Sequence, residues 1–80
     1  MKLTFKLPQL GMNMEQATIT AWHKQAGDTV AKGEPLYAIE FEKAATEIEA
    51  PFPGVLLEVL VPTGETVAVG TPVCRFEKSP

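Results

Sequence analysis

The sequence predicts an all-β domain, a flattened barrel-like sandwich of two antiparallel sheets, on three observations. Apolar residues nowhere keep the helical spacing of i, i+3, i+4 and i+7 for long enough to form an amphipathic helix. Seven prolines and six glycines divide the 80 residues into short runs rich in branched and aromatic side chains. An internal repeat indicates that each half forms the same unit, so a pseudo-two-fold axis relates the two sheets.

Six runs have the composition of strands, and turn-forming residues separate them. The predicted strands are LTFKL (3–7), ATITAWH (17–23), PLYAIEF (35–41), ATEIEA (45–50), GVLLEVLV (54–61) and PVCRFEK (72–78). Glycine and proline favour turns, which we expect at Gly27-Asp28, Lys32-Gly33, Pro53-Gly54, Thr63-Gly64 and Val69-Gly70. Many short strands at close spacing are typical of a sandwich or a barrel.

The repeat relates two fourteen-residue segments without a gap. GDTVAKGEPLYAIE from Gly27 aligns with GETVAVGTPVCRFE from Gly64 at an offset of 64 − 27 = 37, with seven identical positions. Subtracting 37 from Lys43 gives Lys6, near the beginning of the chain, and Glu77 near its end corresponds to Glu40. A two-fold axis therefore predicts that the turn at Lys43 lies at the end of the domain opposite both termini.

Composition excludes several classes of function. A net charge of −3 without a basic patch argues against nucleic acid as a partner, and the longest apolar run is too short to span a membrane. Cys74 is the only cysteine, so no internal disulfide forms; we expect a buried thiol and a cytoplasmic protein. His23 has neither a nucleophile nor metal-ligand spacing around it, so we expect no catalytic residue and no metal site.

The segment IEFEKAATEIEA predicts a hairpin with Lys43 at its tip. Apolar residues alternate with glutamates on both sides of the lysine, so each strand has one apolar face and one acidic face. The lysine side chain is expected in water, and a merely solvated surface lysine is the simpler interpretation of this residue alone. The acidic residues around it are Glu40, Glu42, Glu47 and Glu49.

Landmarks of one known family follow in order along nearly the whole chain, in LPQLGMNMEQATITAWHKQAGDTV, GEPLYAIEFEKAATEIEAPFPG and LVPTGETVAVGTPV. The chain resembles a lipoyl domain, the swinging-arm module of dihydrolipoamide acyltransferases in 2-oxo acid and acetoin dehydrogenase complexes. It departs from the usual pattern at three positions. Glu42 stands where the family usually has Asp, Phe41 where Thr is common, and Ala17 where Gly is common.

The resemblance implies that Lys43 carries lipoic acid in amide linkage, flanked by Glu42 and Ala44. It implies a non-catalytic carrier that passes acyl groups and reducing equivalents between active sites. The implied partners are a lipoate-protein ligase, a thiamine diphosphate-dependent dehydrogenase, an acyltransferase core domain and dihydrolipoamide dehydrogenase. We expect residues 1–78 to form a monomeric lipoyl domain and residues 79–80 to begin a linker.

Residues near the lysine are predicted to contact those partners. The glutamates of the acidic face would steer the approach of partners to the loaded tip. Phe41 would present an apolar surface, and two methionines in the irregular loop PQLGMNMEQ supply adaptable side chains beside the tip. The predicted recognition residues are Glu40, Phe41, Glu47, Glu49, Met12 and Met14.

Three other interpretations remain open. A biotin carrier domain shares the fold and the tip lysine, although such domains typically have methionine on both sides, where this chain has Glu42 and Ala44. The lipoylated H protein of glycine cleavage is a longer chain. An unmodified, lipoyl-like adaptor domain would leave Lys43 without a chemical role.

Overall fold

A computed structural model describes residues 1–79, and every regular element in that range is a strand. The strands are β1 (Lys2–Lys6), β2 (Gln16–Trp22), β3 (Thr29–Val30), β4 (Pro35–Phe41), β5 (Ala44–Glu49), β6 (Gly54–Val59), β7 (Thr66–Ala68) and β8 (Pro72–Lys78). All six predicted runs form strands: two match the predicted bounds, and the ends of the other four are shifted by one or two residues. The predictions missed β3 and β7, because strands of two or three residues are too short to show alternation.

One predicted turn is wrong. Gly54 is the first residue of β6 and has no positive φ, and the chain instead bends at Pro51 and Phe52. Gly54 is needed there for space, because a Cβ atom would meet the Glu77 carbonyl and the Phe76 ring. The other expected turns contain glycines with φ between 86° and 97°, a region that disfavours other residues.

Two four-stranded antiparallel sheets form the sandwich, and the repeat interconverts them. Their strand orders are β1-β8-β6-β3 and β5-β4-β2-β7. If β1 is exchanged with β5, β2 with β6, β3 with β7 and β4 with β8, the first order becomes the second. The predicted pseudo-two-fold architecture is therefore confirmed at the level of topology.

The hydrogen bonds repeat with the same offset of 37. The Gly27 amide donates to the Leu56 carbonyl over 2.7 Å, and the Gly64 amide donates to the Ile19 carbonyl over 2.7 Å. Thr29 pairs with Val55 in one sheet, as Thr66 pairs with Thr18 in the other. The two halves are thus equivalent residue by residue across these strands.

The first strands of the two halves correspond at a different offset, which corrects one sequence prediction. Lys2 pairs with Glu77 and Ala45 pairs with Glu40, so β1 and β5 are related by 45 − 2 = 43. Lys6 therefore corresponds to Glu49, not to Lys43. The difference of 43 − 37 = 6 residues is an insertion in the loop between β1 and β2, residues 7–15.

Under this symmetry, the counterpart of the Lys43 turn is the pair of chain ends beside β8 and β1. The Lys78 amide donates to the Met1 carbonyl over 2.9 Å, and the Ser79 amide donates to the Pro53 carbonyl over 2.9 Å. β5 leads away from the turn towards Pro53 for six residues, which is roughly 20 Å of strand. The turn and the termini accordingly lie at opposite ends. Pro80, the second residue of the predicted linker, lies outside the described residues.

The core fills the space between the sheets with apolar side chains from both repeats. Trp22 stacks obliquely on Tyr37 with ring centroids 4.7 Å apart, and its Nε1 donates to the Val61 carbonyl over 2.8 Å. The Phe5 and Phe76 rings stack at 5.0 Å. The radius of gyration is 11.9 Å. None of residues 1–79 belongs to a helix that could cross a membrane. Fully buried side chains include Leu7, Met14, Ile19, Val30, Leu36, Ile39, Leu56, Val73 and Cys74.

Candidate functional site

Lys43 occupies a tight two-residue turn at the end of the β4–β5 hairpin. Phe41 pairs with Ala44, and the two residues between them have positive φ, 48° at Glu42 and 68° at Lys43. Positive φ at both central residues defines a type I′ turn, which glycine and asparagine usually occupy. A residue with a Cβ atom is destabilised by about 1 kcal/mol or more when its φ is positive. Such strain is commonly kept where a side chain must be held in one position for function.

The Lys43 side chain is exposed and its amine is unobstructed. Among residues 1–79, no carboxylate lies within 4.0 Å of its Nζ. Lys24, by contrast, is paired: its Nζ lies 2.9 Å from Glu34 Oε2. The lysine is therefore presented at the end of a hydrogen-bonded hairpin without a competing ion pair.

Three of the predicted acidic residues extend from the outer face of the hairpin. Glu40, Glu47 and Glu49 are exposed, and the alternation of β4 and β5 turns them away from the core, as predicted. Glu42 is exposed in the turn itself. The structure thus assembles an acidic collar, Glu40, Glu42, Glu47 and Glu49, around and behind the lysine.

The collar has a contact that sequence reasoning missed. His23 Nε2 lies 2.7 Å from Glu47 Oε2. His23 follows β2 and Glu47 lies in β5, so the two residues come from opposite sides of β4. Between them, Ala38 of β4 pairs with Glu47, and its small side chain leaves room for the contact. Nothing in the sequence marks this pair, because it depends on the register of three strands.

The two methionines predicted to contact partners lie in different environments. Met12 is 97% exposed, whereas Met14 is only 2% exposed and belongs to the core. The expectation that Met14 offers a contact surface is therefore wrong. Its sulfur instead accepts a hydrogen bond from the Leu10 amide at 3.5 Å. Met14 anchors the β1–β2 loop, and this loop presents Met12 and half-exposed Leu10 to solvent.

A small apolar groove separates this loop from the hairpin tip, and we call it the tip groove. Its volume is about 200 Å³. Phe41 and Ala44, which flank the Glu42-Lys43 turn, belong to its wall. It is lined by Leu10, Gly11 and Met14 from the loop, by Phe41, Ala44 and Thr46 from the hairpin, and by buried Ile39.

The other side chains that could take part in chemistry are buried in the core or hydrogen-bonded within the fold. Burial raises the pKa of the Cys74 thiol to about 12 and raises the pKa of the Tyr37 phenol. These two residues are repeat equivalents, since 74 − 37 = 37, and both are buried. The Ala31 amide and Lys24 together lower the pKa of the Glu34 carboxyl. Within residues 1–79, His, Cys, Asp and Glu form no group of three that could hold a metal ion.

The profile of the Biotin_lipoyl family, described as "Biotin-requiring enzyme", matches residues 3–76 of this chain. The chain belongs to the biotin and lipoyl attachment family. Domains of this family are carriers whose arm is attached to a lysine, and the exposed hairpin tip is the part of this fold that suits such an arm. The resemblance deduced from the sequence is thereby confirmed, and the domain is a carrier and not itself a catalyst.

Within the family, the chain is similar to lipoyl domains. It is 46% identical over 68 residues to the dihydrolipoyllysine-residue acetyltransferase component of the acetoin cleaving system of Bacillus subtilis, covering 85% of this chain and 17% of that protein. It is 45% identical over 65 residues to the succinyltransferase component of the 2-oxoglutarate dehydrogenase complex of the same organism, covering 81% and 16%.

A solved structure agrees with these relatives. The lipoyl domain of the 2-oxoglutarate dehydrogenase complex from Azotobacter vinelandii superposes with a TM-score of 0.82 at 27% identity, covering 98% of this chain and 99% of that one. The chain thus matches an isolated lipoyl domain over its full length, while it spans less than a fifth of the two curated relatives above.

Proposed function

We propose that Lys43 carries lipoic acid in amide linkage and that the domain moves this arm between the active sites of a multienzyme complex. The observation that carries the proposal is the position of the lysine. It is an exposed residue of a strained turn, at the end of the domain opposite the termini. A chain joined at the termini would leave the tip free to enter a partner's active site.

The site fits a covalent lipoyl group. An exposed lysine amine is protonated at neutral pH, so a lipoate-protein ligase must remove one proton and supply an activated acyl group. The amine nitrogen then forms a bond to the lipoyl carbonyl carbon as the activating group leaves. A bound dithiolane would supply the acyl-accepting and redox chemistry, whereas this chain supplies attachment, position and recognition.

The similarity to acyltransferase components supports the choice of partners. The proposed partners are a thiamine diphosphate-dependent dehydrogenase, an acyltransferase core domain and dihydrolipoamide dehydrogenase. Because the relatives include an acetyltransferase and a succinyltransferase component, the acyl group is left open. We place the domain at residues 1–78, as a monomer in the cytoplasm, where a free thiol such as Cys74 is common.

Exposed residues around the tip are proposed to form the recognition surface. Amide formation removes the positive charge of Lys43, so the acidic collar dominates the loaded tip. Like charges held together on one end of a small domain raise the rate of productive encounter with a basic surface. Phe41 and Met12 add apolar contact area beside the collar.

Intact-mass measurement tests the attachment. The apo domain is incubated with a lipoate-protein ligase, ATP and lipoate, and then with the dehydrogenase and its 2-oxo acid. We expect one lipoyl increment and then one acyl increment. Lys43→Arg should abolish both, whereas Lys32→Arg, which changes another exposed turn lysine, should abolish neither.

The same measurement identifies the competing functions. A single biotinyl increment with a biotin ligase, and none with the lipoate ligase, would show a biotin carrier. No increment with either competent ligase would show an unmodified adaptor. Either result contradicts the proposal.

A further inference from the structure

The tip groove lies directly beside the attachment lysine. Two of its lining residues, Phe41 and Ala44, are the hydrogen-bonded neighbours of the Glu42-Lys43 turn. Any group attached to Lys43 is therefore held close to the groove at a high effective concentration, and even weak contacts can be populated.

One wall of the groove comes from the one large departure from two-fold symmetry. The six-residue insertion in the β1–β2 loop supplies Leu10, Gly11 and Met14, which form one wall. At the opposite end, the equivalent connection is the short segment Pro51 to Pro53. The recess at the tethered end has no such loop wall: it is lined by Met1, Val55, Glu77, Lys78 and Ser79, so charged side chains take part in its lining.

The loop wall is fixed by contacts that do not depend on a ligand. Gln9 Nε2 donates to the carbonyls of Met12 and Met14, each over 3.4 Å. The Met14 amide donates to the Gly11 carbonyl over 3.1 Å. A recess formed in advance binds a small group with little further loss of conformational entropy.

The size and chemistry of the groove suit a five-membered disulfide ring. Its volume of about 200 Å³ exceeds the roughly 150 Å³ of an apolar protein cavity known to hold one benzene molecule. The Phe41 ring offers aromatic surface, and sulfur makes favourable contacts with aromatic rings. A charged or strongly polar head group would find no ionic partner among these lining residues.

We propose that the dithiolane ring of the loaded domain docks reversibly in the tip groove between visits to partner active sites. This inference rests on the proposed function, because it requires lipoate on Lys43. The docked and free positions must have similar free energies, since a tightly held ring could not enter another protein. Docking shields the disulfide from water and from small thiols while the arm is idle.

Nuclear magnetic resonance of the loaded domain tests the proposal. Intact mass first establishes complete loading. We expect nuclear Overhauser contacts between ring protons and the methyl groups of Leu10 and Ala44. Amide shifts on loading should extend to Leu10 and Gly11. In Leu10→Ser and in Phe41→Thr these contacts should be lost, whereas the control Leu60→Ser, at a leucine that is 40% exposed elsewhere on the domain, should retain them.

Chemical reactivity provides a second readout. A ring docked for half of the time reacts with a small water-soluble phosphine about twofold more slowly than a free ring, because only the free fraction is competent. Leu10→Ser should therefore raise the rate of ring reduction roughly twofold, and Leu60→Ser should leave it unchanged.

The outcomes separate the two proposals. A domain that takes no lipoyl group overturns the proposed function, and this inference falls with it. A fully loaded domain with shift changes confined to residues 42–44, and with the same reduction rate in all variants, overturns docking alone.

Discussion

The β4–β5 hairpin and the β8–β1 pair have the same backbone design and opposite charge. Every β1–β8 pair has an equivalent β5–β4 pair, including the register shift that each contains. The hairpin strands and turn carry four glutamates and one lysine, a net charge of −3, whereas β8 and β1 carry three lysines and one arginine against one glutamate, +3. The duplicated backbone supports the fold, and the residues that differ between the copies provide the function.

The two sheets are packed with different residues at equivalent positions. The largest predicted change in stability tests this difference. Gly54 and Ala17 are repeat equivalents, and so are Phe76 and Ile39. The larger Phe76 ring occupies the space that a Cβ at Gly54 would need. Gly54→Ala should lower the free energy of unfolding by about 3 kcal/mol, since the obstructing atoms include backbone.

Urea unfolding measures this change through the transition midpoint. Gly11→Ala is the matched control, because a Cβ at Gly11 meets nothing within 4 Å, and it should change stability by less than about 0.5 kcal/mol. Equal effects at the two glycines would contradict the packing difference between the sheets.

The dependence of stability on alkaline pH tests the two repeat-equivalent buried groups, the Cys74 thiol and the Tyr37 phenol. Burial raises both folded-state pKa values above the ordinary values of 9.0 and 10.0. The unfolded chain therefore releases protons that the folded chain retains, and stability should fall as pH rises above about 9. By pH 10 the loss from Cys74 alone should reach about 1.4 kcal/mol, of which about 1 kcal/mol arises between pH 9 and 10.

Urea midpoints across this pH range check the effect. Cys74→Ala should flatten the decline between pH 9 and 10 while keeping the Tyr37 contribution at higher pH. If the decline persists unchanged in Cys74→Ala, the thiol does not cause it.

Charge reversal tests whether the acidic tip directs encounter. Glu42→Lys with Glu49→Lys should slow reductive acylation of the loaded domain by its dehydrogenase, by up to about tenfold at low ionic strength. The effect should shrink as salt is added. Glu58→Lys with Glu65→Lys changes the total charge equally at exposed sites outside the collar and should have a much smaller effect. Equal slowing by both pairs would assign the effect to net charge alone.

The smallest predicted effect concerns the turn. Glu42→Asn places a residue that tolerates positive φ in a position with φ of 48°. Stability should rise by about 0.5 kcal/mol, as measured by the urea midpoint. Glu58→Asn, within β6, should give no gain, because asparagine is disfavoured in strands. A gain at both positions would point to charge removal as the cause.

The sequence contained most of the fold because alternation and repeat are both local patterns. The alternation around Lys43 was enough to predict a hairpin with its acidic face outward, and the Gly27 and Gly64 segments were enough to predict two related halves. β3 and β7 escaped notice because they are too short for a period. The offset of 43 for β1 and β5 also escaped notice, because those strands lack the identities that mark the rest of the repeat.

The site was less predictable where it depends on packing between distant segments. Met12 and Met14 are indistinguishable by composition, and their separation into exposed and buried residues follows from how the loop closes over Ile39 and Phe41. The His23–Glu47 contact requires the register of β2, β4 and β5. The tip groove requires both the insertion and the hairpin, so neither segment alone could reveal it.

The most direct test of the central claim is to locate the lipoyl group after loading the wild-type domain with ligase, ATP and lipoate. Peptide mapping by tandem mass spectrometry can compare Lys43 with the other lysines of the same chain, Lys2, Lys6, Lys24, Lys32 and Lys78. Lys32 is the sharpest internal comparison, since it is also exposed and lies in a turn. We predict that the whole increment is on Lys43. An increment on Lys32, or one spread over several lysines, would contradict the claim that the strained tip turn selects one amine.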